Sequence, residues 1–299
     1  MQKVLATEHL KKNYGNVQAV KDISLNVHYG DIYGILGPNG SGKTTTLGMV
    51  LGAVIPTSGK YSWFEEGSAH QLRKRIGALL EKPNFYPHLS GIQNLKLVAD
   101  IKDLKKHNMQ DAIDLCGVGK YLNRKFITYS TGMKQRLALA ATLLGKPEVI
   151  VLDEPTNGLD PEGISDVREI IKDIGKNGIT VIMASHLLDE VQKVCSHVSV
   201  LKSGQKLFEG QVSALVAESE GIEIGSDNLD KLHRAILDYN GIDHFEKKGE
   251  IVFVRLKPGF KSGELSAYLI KNGVDITHFA HRKGNLEEEF LHLLSGNDR

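Results

Sequence analysis

Gly37-Pro38-Asn39-Gly40-Ser41-Gly42-Lys43-Thr44-Thr45 matches the phosphate-binding pattern G-x-x-x-x-G-K-[ST], with Gly37, Gly42, Lys43 and Thr44 at the fixed places. Before it runs Ile32-Tyr33-Gly34-Ile35-Leu36, short and apolar, which predicts a buried strand. After it, Thr44 to Leu51 contains no proline and sets Leu47 and Val50 at helical spacing. A strand, this loop and a helix make the context the motif needs. The glycines let the N–H groups of Asn39, Gly40, Ser41, Gly42, Lys43, Thr44 and Thr45 turn toward one point. The helix behind adds unpaired N–H groups and the positive end of its dipole. Lys43 supplies a charge for β- and γ-phosphates, and the Thr44 hydroxyl is suited to Mg²⁺.

Working outward, residues 3–29 alternate apolar and polar positions in short pieces, with turns at Tyr14-Gly15-Asn16 and Tyr29-Gly30-Asp31. This pattern predicts an antiparallel β layer. Tyr14 sits in a turn, where an aromatic can stack on a base or simply pack. Ile76 to Glu81 reads as a strand stopping at an acidic residue, and Lys82 to Pro87 as a rigid aromatic loop. From Ser90 to Leu144 apolar residues recur at three and four, which predicts a helical insertion. Near its end Ser130 is suited to capping an almost wholly apolar helix. Such a helix start is either an anion site or an ordinary capped core helix.

Glu148-Val149-Ile150-Val151-Leu152-Asp153-Glu154 reads as a strand buried on both faces, ending in two carboxylates. Burying two charges for packing alone is costly, so the pair points to chemistry. Asp153 is suited to Mg²⁺ and Glu154 to deprotonating a water. A second buried strand, Ile179 to Ser185, ends at His186, where open α/β sheets bind ligands.

In this order the pieces resemble the nucleotide-binding domain of ATP-binding cassette (ABC) transporters over residues 3–216. The loop resembles the Walker A motif, and Ile150 to Glu154 resembles Walker B with its catalytic glutamate. Ser130-Thr131-Gly132 with Met133 to Arg136 resembles the L-S-G-G-Q signature. Gly158-Leu159-Asp160 is similar to the D-loop, and His186 to the switch histidine. The resemblance implies ATP and Mg²⁺ as ligands and Tyr14 as the adenine-stacking aromatic. It also implies a homodimer in which Ser130 and Gly132 of one copy close over ATP on the other. Hydrolysis would power a separate transmembrane permease from the cytoplasm, peripherally on the inner face of the membrane. Two stretches depart from the family pattern. Glu81 stands where a glutamine is usual, a hard carboxylate suited to Mg²⁺. It resembles bacterial exporters of the lantibiotic-immunity and bacitracin-resistance group. Tyr129 and Thr131 replace the signature's Leu and first Gly.

The expected fold class is α/β, a P-loop NTPase of ABC type with an antiparallel β layer and a helical insertion at about residues 83–145. The ATP-binding domain would span 1–217. Residues 218–299 would form a small α+β domain, since Gly221 to Arg282 reads as βαββαβ, a ferredoxin-like order. A last helix follows, with Asn285 as cap and Glu288 completing a capping-box-like start. Its stripe of Leu286, Phe290, Leu293 and Leu294 needs cover. This tail has no phosphate loop, no paired carboxylates at a strand end and no metal-ligand cluster, so it is expected to regulate or dimerise and not to catalyse.

Composition narrows the classes. Thirty-seven basic and 36 acidic residues leave a net charge of +1 with no basic block, which argues against a nucleic-acid surface. Cys116 and Cys195 read as reduced packing cysteines. The start of the sequence does not read as a signal peptide, and no apolar run is long enough for a bilayer, so any membrane role would need another chain. A non-transport ABC ATPase, in a soluble assembly or a nucleic-acid complex, is the alternative. The single cassette and the lack of long coiled coils weigh against it.

Overall fold

The computed structural model describes residues 2–66, 70–81, 83–104 and 109–296. Lys82, first residue of the expected rigid loop, lies outside them, as do residues 105–108 of the helical stretch. The chain divides into two compact units, residues 1–212 and 213–299, upstream of the 217/218 boundary expected from the sequence.

The first unit opens with β1 (Lys3–Tyr14), β2 (Val17–Ile23) and β3 (Asn26–His28); both later strands pair antiparallel with β1. Next, β4 (Ile32–Leu36) runs into the phosphate loop and α1 (Lys43–Val50). β5 (Ser58–Trp63), which the sequence pattern did not reveal, completes the antiparallel layer on β1. β6 (Ile76–Leu79) leads to the helical stretch: α2 (Gly91–Ile101), α3 (Met109–Leu115) and α4 (Thr131–Leu143). Then come β7 (Val149–Asp153), α5 (Pro161–Lys176), β8 (Thr180–Ser185), α6 (Leu188–Val194), β9 (His197–Lys202) and β10 (Gln205–Gln211).

Among the described residues these strands form one ten-stranded sheet, ordered β3-β1-β2-β10-β9-β4-β8-β7-β6, with β5 beside β1. From β9 through β6 all neighbours are parallel. Every residue of β7 and β8 is buried, as strands covered on both faces require. The parallel order sets the carboxyl ends of β4, β8, β7 and β6 side by side at one edge. Each predicted strand-end residue therefore falls at that edge. The core between layers includes fully buried Trp63, whose indole N–H donates to Val50 O at 2.8 Å. A complete capping box of Ser90 and Gln93 starts α2.

α7 (Val212–Ala217) spans the division. The second unit then runs β11 (Gly221–Ser226), α8 (Leu229–Leu237), β12 (Ile242–Lys248), β13 (Ile251–Leu256), α9 (Ser262–Lys271), β14 (Ile276–Arg282) and α10 (Leu286–Ser295). Its sheet, β12-β13-β11-β14, is antiparallel throughout. Numbered within the unit this is the 4-1-3-2 order of a ferredoxin-like fold. Ile222, Ile224, Val252 and Val254 meet Leu232, Ile236, Leu265 and Leu269 in its core. The start of α10 differs from the capping box expected. The Asn285 side chain accepts from Glu287 N–H at 2.9 Å, while its own N–H donates to Ser219 Oγ at 2.9 Å. With that donor already satisfied, the Glu288 carboxylate pairs with Arg282 instead. Leu286 and Phe290 are buried; Leu293 and Leu294 are half-buried.

Candidate active site

The phosphate loop is shaped by two glycines for different reasons. A Cβ on Gly37 would stand 2.3 Å from Ser41 Oγ and 2.5 Å from Leu201 O, so the loop's first turn closes only without a side chain. Gly42 has φ +100°, a left-handed conformation, and a Cβ there would meet Ala19 O at 2.8 Å. The turn between β9 and β10 joins this contact. Gly204 N–H donates to Ser41 O at 3.1 Å, and Gly204 O accepts from Lys21 N–H at 2.8 Å. Lys43 is thereby folded back under its own loop, with Nζ donating to Gly37 O at 2.8 Å and Pro38 O at 3.4 Å. Asn39 and Gly40 form an exposed rim, Thr45 is half-buried, and Thr44 is exposed. Ser41 is buried, and its hydroxyl has no partner among the described residues.

Asp153 closes β7 almost fully buried, beside the Thr44 hydroxyl. Burial pushes its carboxyl above the usual aspartate value, against the hydrogen bond from Thr44; Glu154 and Glu81 push it the same way as burial and Lys43 opposes them. Its Oδ1 has no partner among the described residues. Glu154 then leaves the strand with φ +48°, its N–H still donating to Ala184 O at 3.0 Å. That turn swings its carboxylate between two of the predicted residues. One oxygen lies 3.5 Å from Lys43 Nζ; the other is 2.8 Å from His186 Nδ1 and 3.4 Å from the His186 N–H. Glu81, exposed and left-handed at φ +57°, follows β6 within electrostatic reach of Asp153. Lys43, Thr44, Asp153, Glu154, His186 and Glu81 are therefore gathered at one edge.

Other predicted residues lie elsewhere. Ser130, Gly132 and Asp160 line a separate concavity of about 450 Å³, shared with Thr131, Arg136 and Gly158 and with no residue of Gly37 to Thr45. Ser130 caps α4, accepting from Met133 N–H at 3.3 Å, and Asp160 caps α5, accepting from Gly163 N–H at 2.9 Å. Tyr129, in place of the signature leucine, is buried and donates its hydroxyl to Tyr121 O at 2.7 Å. Tyr14 ends β1, half-exposed, with the Lys12 ammonium 4.9 Å over its ring. Cys116 and Cys195 are free and buried, and burial pushes the Cys116 thiol up to about 12. Sequence reasoning missed the fork of Arg168 on Glu190, described below, because the two lie on different helices with no local pattern joining them.

A phosphate loop feeding one strand edge, with paired carboxylates and a histidine on the next strands, defines a nucleoside-triphosphate hydrolase of the P-loop class. Comparison with known proteins narrows it. Residues 20–157 match the ABC transporter family model. The bacitracin transport ATP-binding protein BcrA of Enterococcus faecalis is 34% identical over 303 residues, spanning 99% of this chain and 98% of that one. The Nod factor export ATP-binding protein I of Cupriavidus pinatubonensis is 30% identical over 97% of this chain and 90% of its own. The solved structure of cbiO1 from Clostridium perfringens, part of an ABC transporter complex, overlays 73% of this chain and 92% of its own, with TM-score 0.66 and 29% identity. The chain belongs to the ATP-binding subunits of ABC transporters. As such it is an ATPase. Among the described residues no helix is long and apolar enough to cross a membrane.

Proposed function

We propose that this chain energises a separate transmembrane permease from the inner face of the cell membrane, that the permease exports its substrate, and that the working ATPase is a pair of identical chains. The observation that carries the pairing is the separation of the two clusters. Lys43, Asp153, Glu154 and His186 form one; Ser130, Gly132 and Asp160 line the other. The sequence holds one phosphate loop. A second copy turned head to tail brings its Ser130 and Gly132 over the first copy's Lys43, with Asp160 at the contact. The exporter reading rests on the transport and export relatives, which match over nearly the whole chain.

Within each composite site the residues divide the work. Lys43 holds the β- and γ-phosphates, and Tyr14 stacks on adenine. The γ-phosphate takes over Lys43 and His186 from Glu154. Freed of both partners, the Glu154 carboxylate accepts the proton of the attacking water. Thr44 and Asp153 fit Mg²⁺: a hydroxyl beside a carboxylate with one oxygen unpartnered is a hard donor set, and Glu81 adds a further oxygen. The cation, when bound, supplies neutralising charge at the β- and γ-phosphates. Mixing two inactive variants, Lys43→Ala and Ser130→Arg, tests the pairing. Exchange between copies leaves one intact composite site per mixed pair, so ATPase activity should return on mixing. A mixture no more active than its separate components rejects it. For the permease, the chain recovered from detergent-solubilised membranes should carry a multi-spanning protein with it; recovery without one counts against a transport role.

A further inference from the structure

α6 is clamped from two sides. It begins two residues after His186 with no side-chain cap at Leu187, whose N–H bonds Ser185 Oγ at 3.0 Å. On one side Glu190 receives both arms of the Arg168 guanidinium, Nε at 2.9 Å and Nη2 at 2.8 Å. Arg168 lies on α5, about two turns beyond the Asp160 cap. On the other side Val191 and Cys195 pack on Gly34 of β4, the strand that delivers the phosphate loop. A Cβ on Gly34 would come within 3.0 Å of Val191 Cγ1 and 3.1 Å of Cys195 Sγ. One short helix thus joins the phosphate-loop strand, the Asp160 helix and the His186 loop.

Stability does not account for the fork. The Glu190 side chain is 7% exposed and that of Arg168 19%. Replacing such a buried pair by apolar residues is often neutral or stabilising, because desolvation offsets the attraction. What a planar two-bond fork provides is a single geometry. We propose that Arg168 and Glu190 are positioning residues for hydrolysis. The fork makes α5 and α6 one body, so a displacement of the Asp160 loop by the second chain is delivered to His186. Contact between copies would then set the histidine that meets the γ-phosphate. This rests on the roles given to His186 and Asp160 under the proposed function.

The test is Arg168→Lys, which keeps the charge and loses the fork, measured in the wild-type and His186→Ala backgrounds. In the wild type kcat should fall about tenfold while the Kd for a non-hydrolysable ATP analogue stays within about twofold. In the His186→Ala background the same change should have no further effect. A paired Arg168→Met/Glu190→Met variant, which packs without leaving a lone charge, should fold and be as slow as Arg168→Lys. Equal fold-losses in both backgrounds, or full kcat in the methionine pair, would overturn the coupling. If His186→Ala slows turnover and Arg168→Lys does not, the coupling alone falls. If His186→Ala leaves turnover unchanged, the role of His186 falls and the coupling with it.

Discussion

Replacing Glu154 with glutamine should tighten ATP binding while nearly stopping turnover, and the structure gives the size of the first effect. The Glu154 carboxylate lies 3.5 Å from Lys43 Nζ. At an effective dielectric of about 20, that separation corresponds to a gross attraction of about 5 kcal/mol. Most of it is offset by the hydration both ions lose, leaving a net preference of about 1–2 kcal/mol. Lys43 keeps the carbonyls of Gly37 and Pro38 in either case. If ATP draws Lys43 away from Glu154, as the proposed division of work has it, removing the carboxylate should lower the Kd for ATP about tenfold. The amide cannot take the water's proton, which should cost about 10²–10⁴ in kcat. Titration of a fluorescent ATP analogue, with protein dilute enough to keep copies apart, reads the first effect; phosphate release reads the second. An unchanged Kd would refute the competition for Lys43, and turnover within tenfold of wild type would remove Glu154 from the role of base.

Gly37→Ala forces a methyl against the Leu201 carbonyl, part of a strand that cannot yield cheaply. It should cost about 1–3 kcal/mol, seen as a lowered Tm, and weaken nucleotide binding by displacing the loop; a melt matching wild type would contradict the packing argument. Arg75 holds both Glu148 oxygens, and this hydrogen bonding pulls the Glu148 carboxyl below the ordinary glutamate value of 4.5. A depressed pKa contributes stability above 4.5 that is lost as pH falls through the folded-state value. The stability difference between wild type and Arg75→Met, by urea unfolding, should therefore be largest near neutrality and shrink below pH 4.5. A difference that does not vary with pH would show that Arg75 acts through contacts other than its carboxylate partners, such as its stacking on Phe64.

Local patterns carried much of this structure. Gly37 to Thr45, the apolar run ending at Asp153 and the run ending at His186 each announce a strand followed by a turn. Parallel pairing then brings those turns together without further information. The βαββαβ alternation of the second unit was legible for the same reason, and its 4-1-3-2 order followed. What escaped depends on tertiary contact. β5 is polar over most of its length because only its end is buried at Trp63, so it gives no clean period. The left-handed turn at Glu154, which aims the carboxylate, is invisible in a residue type that rarely adopts it. The Glu288 cap failed because Ser219, distant in sequence, had already taken the donor. The fork on Glu190 leaves no trace in spacing at all.

The seam at Ala19, Ser41 and Gly204 has a consequence for anyone recombining these proteins. Three stretches far apart in the chain meet there through main-chain atoms: β2, the phosphate loop and the turn from β9 to β10. Main-chain contacts do not tolerate a shift in register, whatever side chains are supplied. A chimaera that exchanges residues 3–28 with a relative would inherit a foreign backbone against its own Gly42, and would need the matching turn at Ser203-Gly204 as well. The crossover points open to gene shuffling are thus set by a few carbonyl oxygens, and not by the edges of the sequence motifs.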